Sequence, residues 1–277
     1  MVPVALALGA SLAWGASDFL AGLKSRSLAL LWVLLVSQAT GLVLVLTAAL
    51  VLGEPLPGRD AALLAAGAGV AELVGFAALY KALAVGRMSV VAPISAMAAL
   101  LPIIAGLAAG HAPTGPQAFG MMLALAGAAL ASIEWGGDNR HAAAGVGLAV
   151  VAAFGFGAFF VGTDLAADDG ALWAVTINRA VAVALLLAIV AASRRPSPLE
   201  RDQIAPLAAV GVLDISANVM FAIALTVGMA AAVSVLGSLY PVATVVLARA
   251  VLREQLSFSQ RGGVLAALAG IGLVSLA

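Results

Sequence analysis

Apolar runs of roughly 18 or more residues follow one another along the chain, separated by short polar breaks. Runs such as 42–52 and 181–192 do not alternate apolar with polar positions, as the strands of a closed barrel would. The pattern therefore predicts helices. Ten spans are expected, at 3–21, 28–51, 61–84, 89–109, 116–134, 145–164, 171–192, 204–226, 230–252 and 260–277. The short connections make neighbouring helices antiparallel. The least apolar break runs from Glu134 to Ala144 and holds Asp138, Asn139, Arg140 and His141. It divides a single membrane domain into two sets of five spans, 1–136 and 143–277.

The two sets align. Ala82-Leu83-Ala84-Val85-Gly86 is echoed by Ala224-Leu225-Thr226-Val227-Gly228, and Glu72 by Asp214, both at an offset of 142. Trp32 and Trp173 differ by 141, and Gly22 and Gly162 by 140. Gly120 with Gly263, Gly127 with Gly270, and Ser132 with Ser275 differ by 143. An offset that grows slowly along the whole half points to a duplication. With an odd number of spans per copy, the second copy inserts inverted, which is the plan of many secondary transporters. The expected fold is all-α, with ten transmembrane helices in two inverted five-helix repeats.

Composition agrees with the pattern. The chain is 64% hydrophobic and 9% charged, with a mean hydropathy of +1.16, where a soluble domain carries about 25% charged residues. It has no cysteine, so thiol and disulfide chemistry are excluded, and its zero formal net charge suggests no nucleic-acid partner. The first span lacks a basic stretch before it, and Asp18 follows its apolar stretch, so it reads as a retained span rather than a leader. Lys24, Arg26, Lys81, Arg87, Arg140, Arg194, Arg195, Arg201, Arg253 and Arg261 fall in odd-numbered connections, and Arg59 alone in the even ones. The positive-inside rule then places both termini outside.

Pro93 and Pro102 interrupt span 4, and Pro241 its counterpart, span 9. Each proline leaves one carbonyl without a partner (Ser89, Ala98 and Gly237), which favours a kink facing protein or a wet cavity. Ordinary packing kinks are the alternative. Gly106 and Gly110 permit close helix contact.

An ionisable group inside a span costs about 2.5–3.5 kcal/mol on insertion scales. Glu72 and Asp214 both lie near mid-membrane by helical rise. Each heads a stripe of threes and fours, Glu72, Phe76, Tyr80 and Asp214, Asn218, Phe221. The pair reads as a seat for a substrate amine or a coupling proton, or as acids paired structurally to a buried arginine. Arg179, eight residues inside span 7 beside Asn178, is the obvious partner, and its counterparts are Ser37 and Gln38. It is suited to a substrate carboxylate, to neutralising Asp214, or to snorkelling towards a surface. Span 1 aligns Ser11, Trp14, Gly15, Asp18 and Gly22, with Phe154 as the counterpart of Trp14. Trp14 offers a face to a cation or a ring, or simply marks an interface. Ser95, Met97, Ser238 and Tyr240 are further cavity candidates on the kinked helices, with core filling the alternative for Met97.

No phosphate-binding glycine loop, no metal-spaced His/Cys/acid cluster and no nucleophilic serine turn occurs, and His111 and His141 fall in expected connections. No arginine ladder or selectivity-filter sequence is present. A gradient-driven carrier that needs no cofactor and is not an enzyme is the favoured class. A channel is the alternative, and an intramembrane enzyme a more distant one.

The chain resembles the drug/metabolite transporter superfamily of the EamA type. The resemblance rests on Trp14-Gly15-Ala16-Ser17-Asp18-Phe19 and on Ala82 to Gly86 running into Val91-Ala92-Pro93-Ile94-Ser95-Ala96. It continues in Leu239-Tyr240-Pro241-Val242, in Arg253-Glu254-Gln255-Leu256-Ser257, and in the glycines through Gly263 and Gly270. It covers essentially all 277 residues. It implies a basket-like bundle whose central cavity is lined by spans 1, 3, 4, 6, 8 and 9, in a monomer of the bacterial inner membrane. It also implies export of amino acids or related metabolites, though members also carry nucleotide sugars, phosphates and drugs. The leading expectation is transport by alternating access, with Glu72 and Asp214 binding a substrate amine or a coupling proton. His111 stands where the second half has Glu254, a departure from the usual acid after span 4. The resemblance also implies cytoplasmic termini, opposite to the Lys/Arg count.

Overall fold

The computed structural model describes residues 2–101, 104–105, 114–132, 139–167, 170–192, 199–227, 236–237, 240–253 and 257–276. Among these the regular structure is all helical. The α-helices are α1 (Val2–Lys24), α2 (Leu30–Leu52), α3 (Arg59–Val85), α4 (Met88–Ser95), α5 (Gly115–Ser132), α6 (Asn139–Ala167), α7 (Ala171–Ala192), α8 (Arg201–Val227), α9 (Tyr240–Leu252) and α10 (Phe258–Leu276). Six of them are long and apolar enough to cross a membrane, and shorter apolar helices accompany them. The protein is a polytopic integral membrane protein. Large apolar side chains such as Val43, Leu52, Leu63 and Val246 cover its outer surface, as lipid contact requires.

Local chemistry sets several helix ends. Gly53 closes α2 in a left-handed conformation (φ 66°), with its N–H on the Ala49 carbonyl. Asp60 lies in the first turn of α3, where the helix dipole favours negative charge. The Gly86 N–H reaches back to Ala82 and ends that helix.

Two of the expected spans differ. Span 4 is not one kinked helix: α4 stops at Ser95 and passes into a 3-10 turn, Ala96–Ala99. Pro93 cannot donate to the ladder, and the Ser95 hydroxyl donates to the Ala92 carbonyl at 2.9 Å, sharing that acceptor with the Ala96 N–H. Span 6 begins earlier than expected. Asn139, Arg140 and His141 belong to α6 rather than to a connection, with its apolar stretch starting only at Gly145. Pro241 is the second residue of α9, so the kink expected there falls on residues outside the described ones. Pro102, Gly106, Gly110, His111, Gly228 and Glu254 also lie outside them.

Helix directions follow from contacts. Along α1 and α8, Lys24 Nζ donates to Gln203 Oε1 (3.3 Å) and Ser17 Oγ to the Val210 carbonyl (3.1 Å), while Gly9 faces Met220. These two helices are antiparallel. Along α3 and α6, Gly86 faces Gly145, Gly75 faces Phe156, and Ala68 faces Gly162, again antiparallel. Arg26 Nη2 comes within 3.5 Å of the Leu83 carbonyl, so α1 and α3 end together. The α6 helix therefore runs against α1.

The tightest contacts come in matched sets. A Cβ on Gly69 would lie 2.6 Å from the Asn178 carbonyl oxygen, and one on Gly211 would lie 2.3 Å from that of Ser37. A Cβ on Gly15 would meet the Tyr240 carbonyl oxygen at 2.5 Å, and one on Gly157 that of Ala98 at 3.0 Å. Gly127 abuts Ala267 and Gly263, while Gly270 abuts Ala124 and Gly120. Glycine at these places lets helix backbones approach to contact.

Candidate functional site

Glu72 is the central residue of the 27-residue α3, and Asp214 the central residue of the 27-residue α8. Such helices are roughly 40 Å long, so both acids sit far from either end. Arg179, eight residues into α7, reaches between them. Its Nη2 lies 2.6 Å from Asp214 Oδ2 and 3.1 Å from Glu72 Oε1. Its Nη1 donates to Gln38 Oε1 on α2, and its guanidinium stacks over the Phe76 ring at 5.6 Å. Arg179 is 1% exposed, Glu72 2% and Asp214 7%. Arg179 is therefore buried and paired with both acids rather than extended towards a surface.

A planar guanidinium is the one cation that serves two carboxylates, an amide and a ring at once. The fork is nevertheless outnumbered, because one positive charge faces two carboxylates. The partners are also unequal. Asp214 holds the shorter bond and is approached by Asn218 Nδ2, 3.0 Å from its carbonyl and 3.4 Å from Oδ2. Glu72 Oε2, Arg179 Nε and Asn178 Oδ1 are buried without a hydrogen bond. The Asn178 amide donates to Thr163 Oγ1 at 3.1 Å, tying α7 to α6 beside the cluster.

A second group lies on α1, α8 and α9. Trp14 packs against Phe221 (centroids 5.2 Å apart, tilted) and against Tyr240 (6.3 Å, edge-on). One helical turn along α1, Asp18 is 7% exposed. The Thr244 hydroxyl, one turn beyond Tyr240, donates to the Gly15 carbonyl at 3.2 Å and fixes α9 against α1. Tyr80 bridges the two groups. Its ring lies 5.3 Å from Phe76, and its hydroxyl lies near Ser17.

The structure thus sorts the expected site residues. Glu72, Phe76, Arg179, Asp214 and Asn218 form one cluster. Trp14, Asp18 and Tyr240 form the other, with Tyr80 between. Met97 is partly buried and packs against the main core. Ser238 lies outside the described residues. The expected counterpart of Trp14 needs correction: Phe154 points outward at 62% exposure. Phe156 takes the inward place, 5.0 Å from Phe76, because Gly155 must face Gly75 and turns its neighbour Phe154 away. Two partners escaped the sequence reading. Gln38 was visible as the counterpart of Arg179, but only the fold shows that the two touch. Glu54 accepts from the Trp173 backbone N–H at Oε2 (3.0 Å) and from its indole N–H at the carbonyl (2.8 Å), stapling the α2–α3 connection to the start of α7. An acid in a polar connection gave no signal for this.

The sequence model of the EamA-like transporter family matches the chain twice, over residues 1–133 and 143–276. No curated protein matches. The fold recurs among solved structures: one crystal structure of a protein superposes with a TM-score of 0.64 at 18% identity, over 98% of this chain and 95% of the other.

Proposed function

This chain belongs to the EamA-like transporter family, and we propose that it is a secondary, gradient-driven exporter of amino acids or similar small polar metabolites, working by alternating access. The family makes it a membrane transporter of small solutes. The observation that carries the finer reading is the buried Glu72–Arg179–Asp214 cluster, which joins α3 to α7 and α8 at the centres of α3 and α8.

The cluster has one guanidinium for two carboxylates. A second buried carboxylate charge without a counter-ion is costly in a membrane interior. The cluster is balanced when one carboxyl carries a proton or when a cation joins it. Asp214 holds Arg179 at 2.6 Å, and Glu72 retains a free oxygen. We therefore assign the exchangeable proton to Glu72 and the permanent counter-charge to Asp214.

Inverted repeats supply the alternation. The reading is supported by the family model matching each half, by the opposed directions of α1 and α6, and by the matched glycine contacts. Gln38 and Arg179, which are equivalent positions 141 apart, touch each other. Equivalent positions meet only on a two-fold axis. Rocking one half against the other about that axis would open the cluster to each side in turn.

The test uses purified protein in liposomes loaded with a mixture of unlabelled amino acids. The expected result is saturable counterflow of radiolabelled amino acids, with internal pyranine reporting coupled proton movement. Non-saturating flux without counterflow would instead identify a channel and overturn the carrier.

A further inference from the structure

The Arg179 cluster leaves little for a substrate to grip, since both Nη atoms are engaged by the protein. Asp18 differs. It is nine-tenths buried, and among the described residues no hydrogen bond or ion pair reaches its carboxylate. It lies near Tyr240 and Tyr80. Trp14 stands one turn away on the same stripe of α1, with Phe221 and Tyr240 at 5.2 and 6.3 Å from its ring. These three aromatic residues are only partly buried, unlike the cluster around Arg179.

A buried carboxylate without a partner beside aromatic faces is complementary to an organic cation. The acid supplies charge-assisted hydrogen bonds to N–H groups, and the ring faces attract the same charge. The mirrored flank shows that the arrangement is not a by-product of packing. At an offset of 142 the counterparts of Trp14, Asp18, Phe221 and Tyr240 are Phe156, Phe160, Leu79 and Ala98. None of these four counterparts is an acid, and Tyr240 has no aromatic counterpart, although the same glycine contact builds both flanks.

We propose that Asp18 with Trp14, Phe221 and Tyr240 forms a binding site for the primary ammonium group of an amine or amino acid. This rests on the transporter reading above and separates substrate recognition from the proton site at Glu72. The ammonium would dock on Asp18 with its carbon body against Trp14.

The test is equilibrium binding to detergent-purified protein, followed by tryptophan fluorescence and thermal shift. Probes are phenethylammonium, L-phenylalanine and phenylacetate. Saturable binding of phenethylammonium, of L-phenylalanine or of both is expected, with phenylacetate alone failing to bind. The two ammonium arms distinguish a simple amine from an amino acid. Losing a charge-assisted contact weakens affinity by about tenfold or more, so Asp18→Asn should do this while Asp18→Glu stays close to the wild type. Should Asp18→Asn fail to fold, Trp14→Leu serves instead, with a loss of about threefold or more. Phenylacetate binding as tightly, no saturable binding by either ammonium probe, or undiminished affinity in the folded variants would overturn the site. Amino-acid counterflow is scored separately. Counterflow without ammonium binding removes this site alone, and ammonium binding without counterflow removes the transporter reading alone.

Discussion

The flank built from α1, α8 and α9 and the flank built from α6, α3 and α4 share a scaffold and differ in what they carry. Gly15 against Tyr240 and Gly157 against Ala98 are the same helix contact made twice. On one flank the side chains are Trp14, Asp18 and Tyr240; on the other they are Phe156, Phe160 and Ala98. The central layer diverges in the same way: Arg179 faces Gln38, and Asn218 stands opposite Phe76. At these matched contacts the backbone packing is alike while the polar side chains differ. Under the proposed alternating movement, matched packing would serve the motion and unlike side chains the proposed substrate and proton sites.

That contrast can be broken at several points. The largest effect should come from Arg179→Met, which leaves two buried carboxylates without a cation and costs about 3–5 kcal/mol. Thermal unfolding in detergent should show a strongly destabilised protein, and adding Glu72→Gln with Asp214→Asn should restore most of the loss. The mirror-related acids should behave unequally. Both amides keep an acceptor for Arg179, but Asp214→Asn removes the charge at the shorter, 2.6 Å contact and should cost about 1.5–3 kcal/mol, whereas Glu72→Gln replaces the carboxyl assigned the proton and should cost about 1 kcal/mol or less. Equal losses would mean that the two carboxylates are interchangeable.

The glycine contacts should show the opposite behaviour. Gly69→Val and Gly211→Val each drive a side chain into a facing carbonyl, and similar losses of about 1–3 kcal/mol are expected from overpacking. Gly67→Val, where nothing lies within 4 Å, is the control and should leave the melting temperature nearly unchanged. A large difference between positions 69 and 211 would remove the symmetric scaffold. Gln38→Leu, which deletes one hydrogen bond to a charged group and leaves both ion pairs in place, should cost about 1.5 kcal/mol, less than loss of the arginine itself.

Much of this was legible in the chain. Apolar runs located the helices because a membrane demands length and apolarity of any spanning segment. The acids stood out because charge is rare in such runs, and Arg179 was their obvious partner. What was hidden depends on rotation and contact rather than on residue type. Phe154 and Phe156 are equally apolar, and only the Gly155–Gly75 contact decides which faces inward. The passage of α4 into a 3-10 turn after Ser95 was not legible either, because proline alone predicts a kink. The Gln38–Arg179 contact requires knowing where the axis passes. Choosing among the three roles open to Arg179 required its burial and its partners, neither of which the sequence contains.

The account turns on Glu72 as the seat of the exchangeable proton. The direct measurement compares Glu72→Gln with the wild type in liposomes, reading amino-acid counterflow and accumulation driven by a pH gradient in the same preparation. Counterflow should persist within a few-fold while gradient-driven accumulation disappears. Wild-type accumulation by the variant would contradict the assignment.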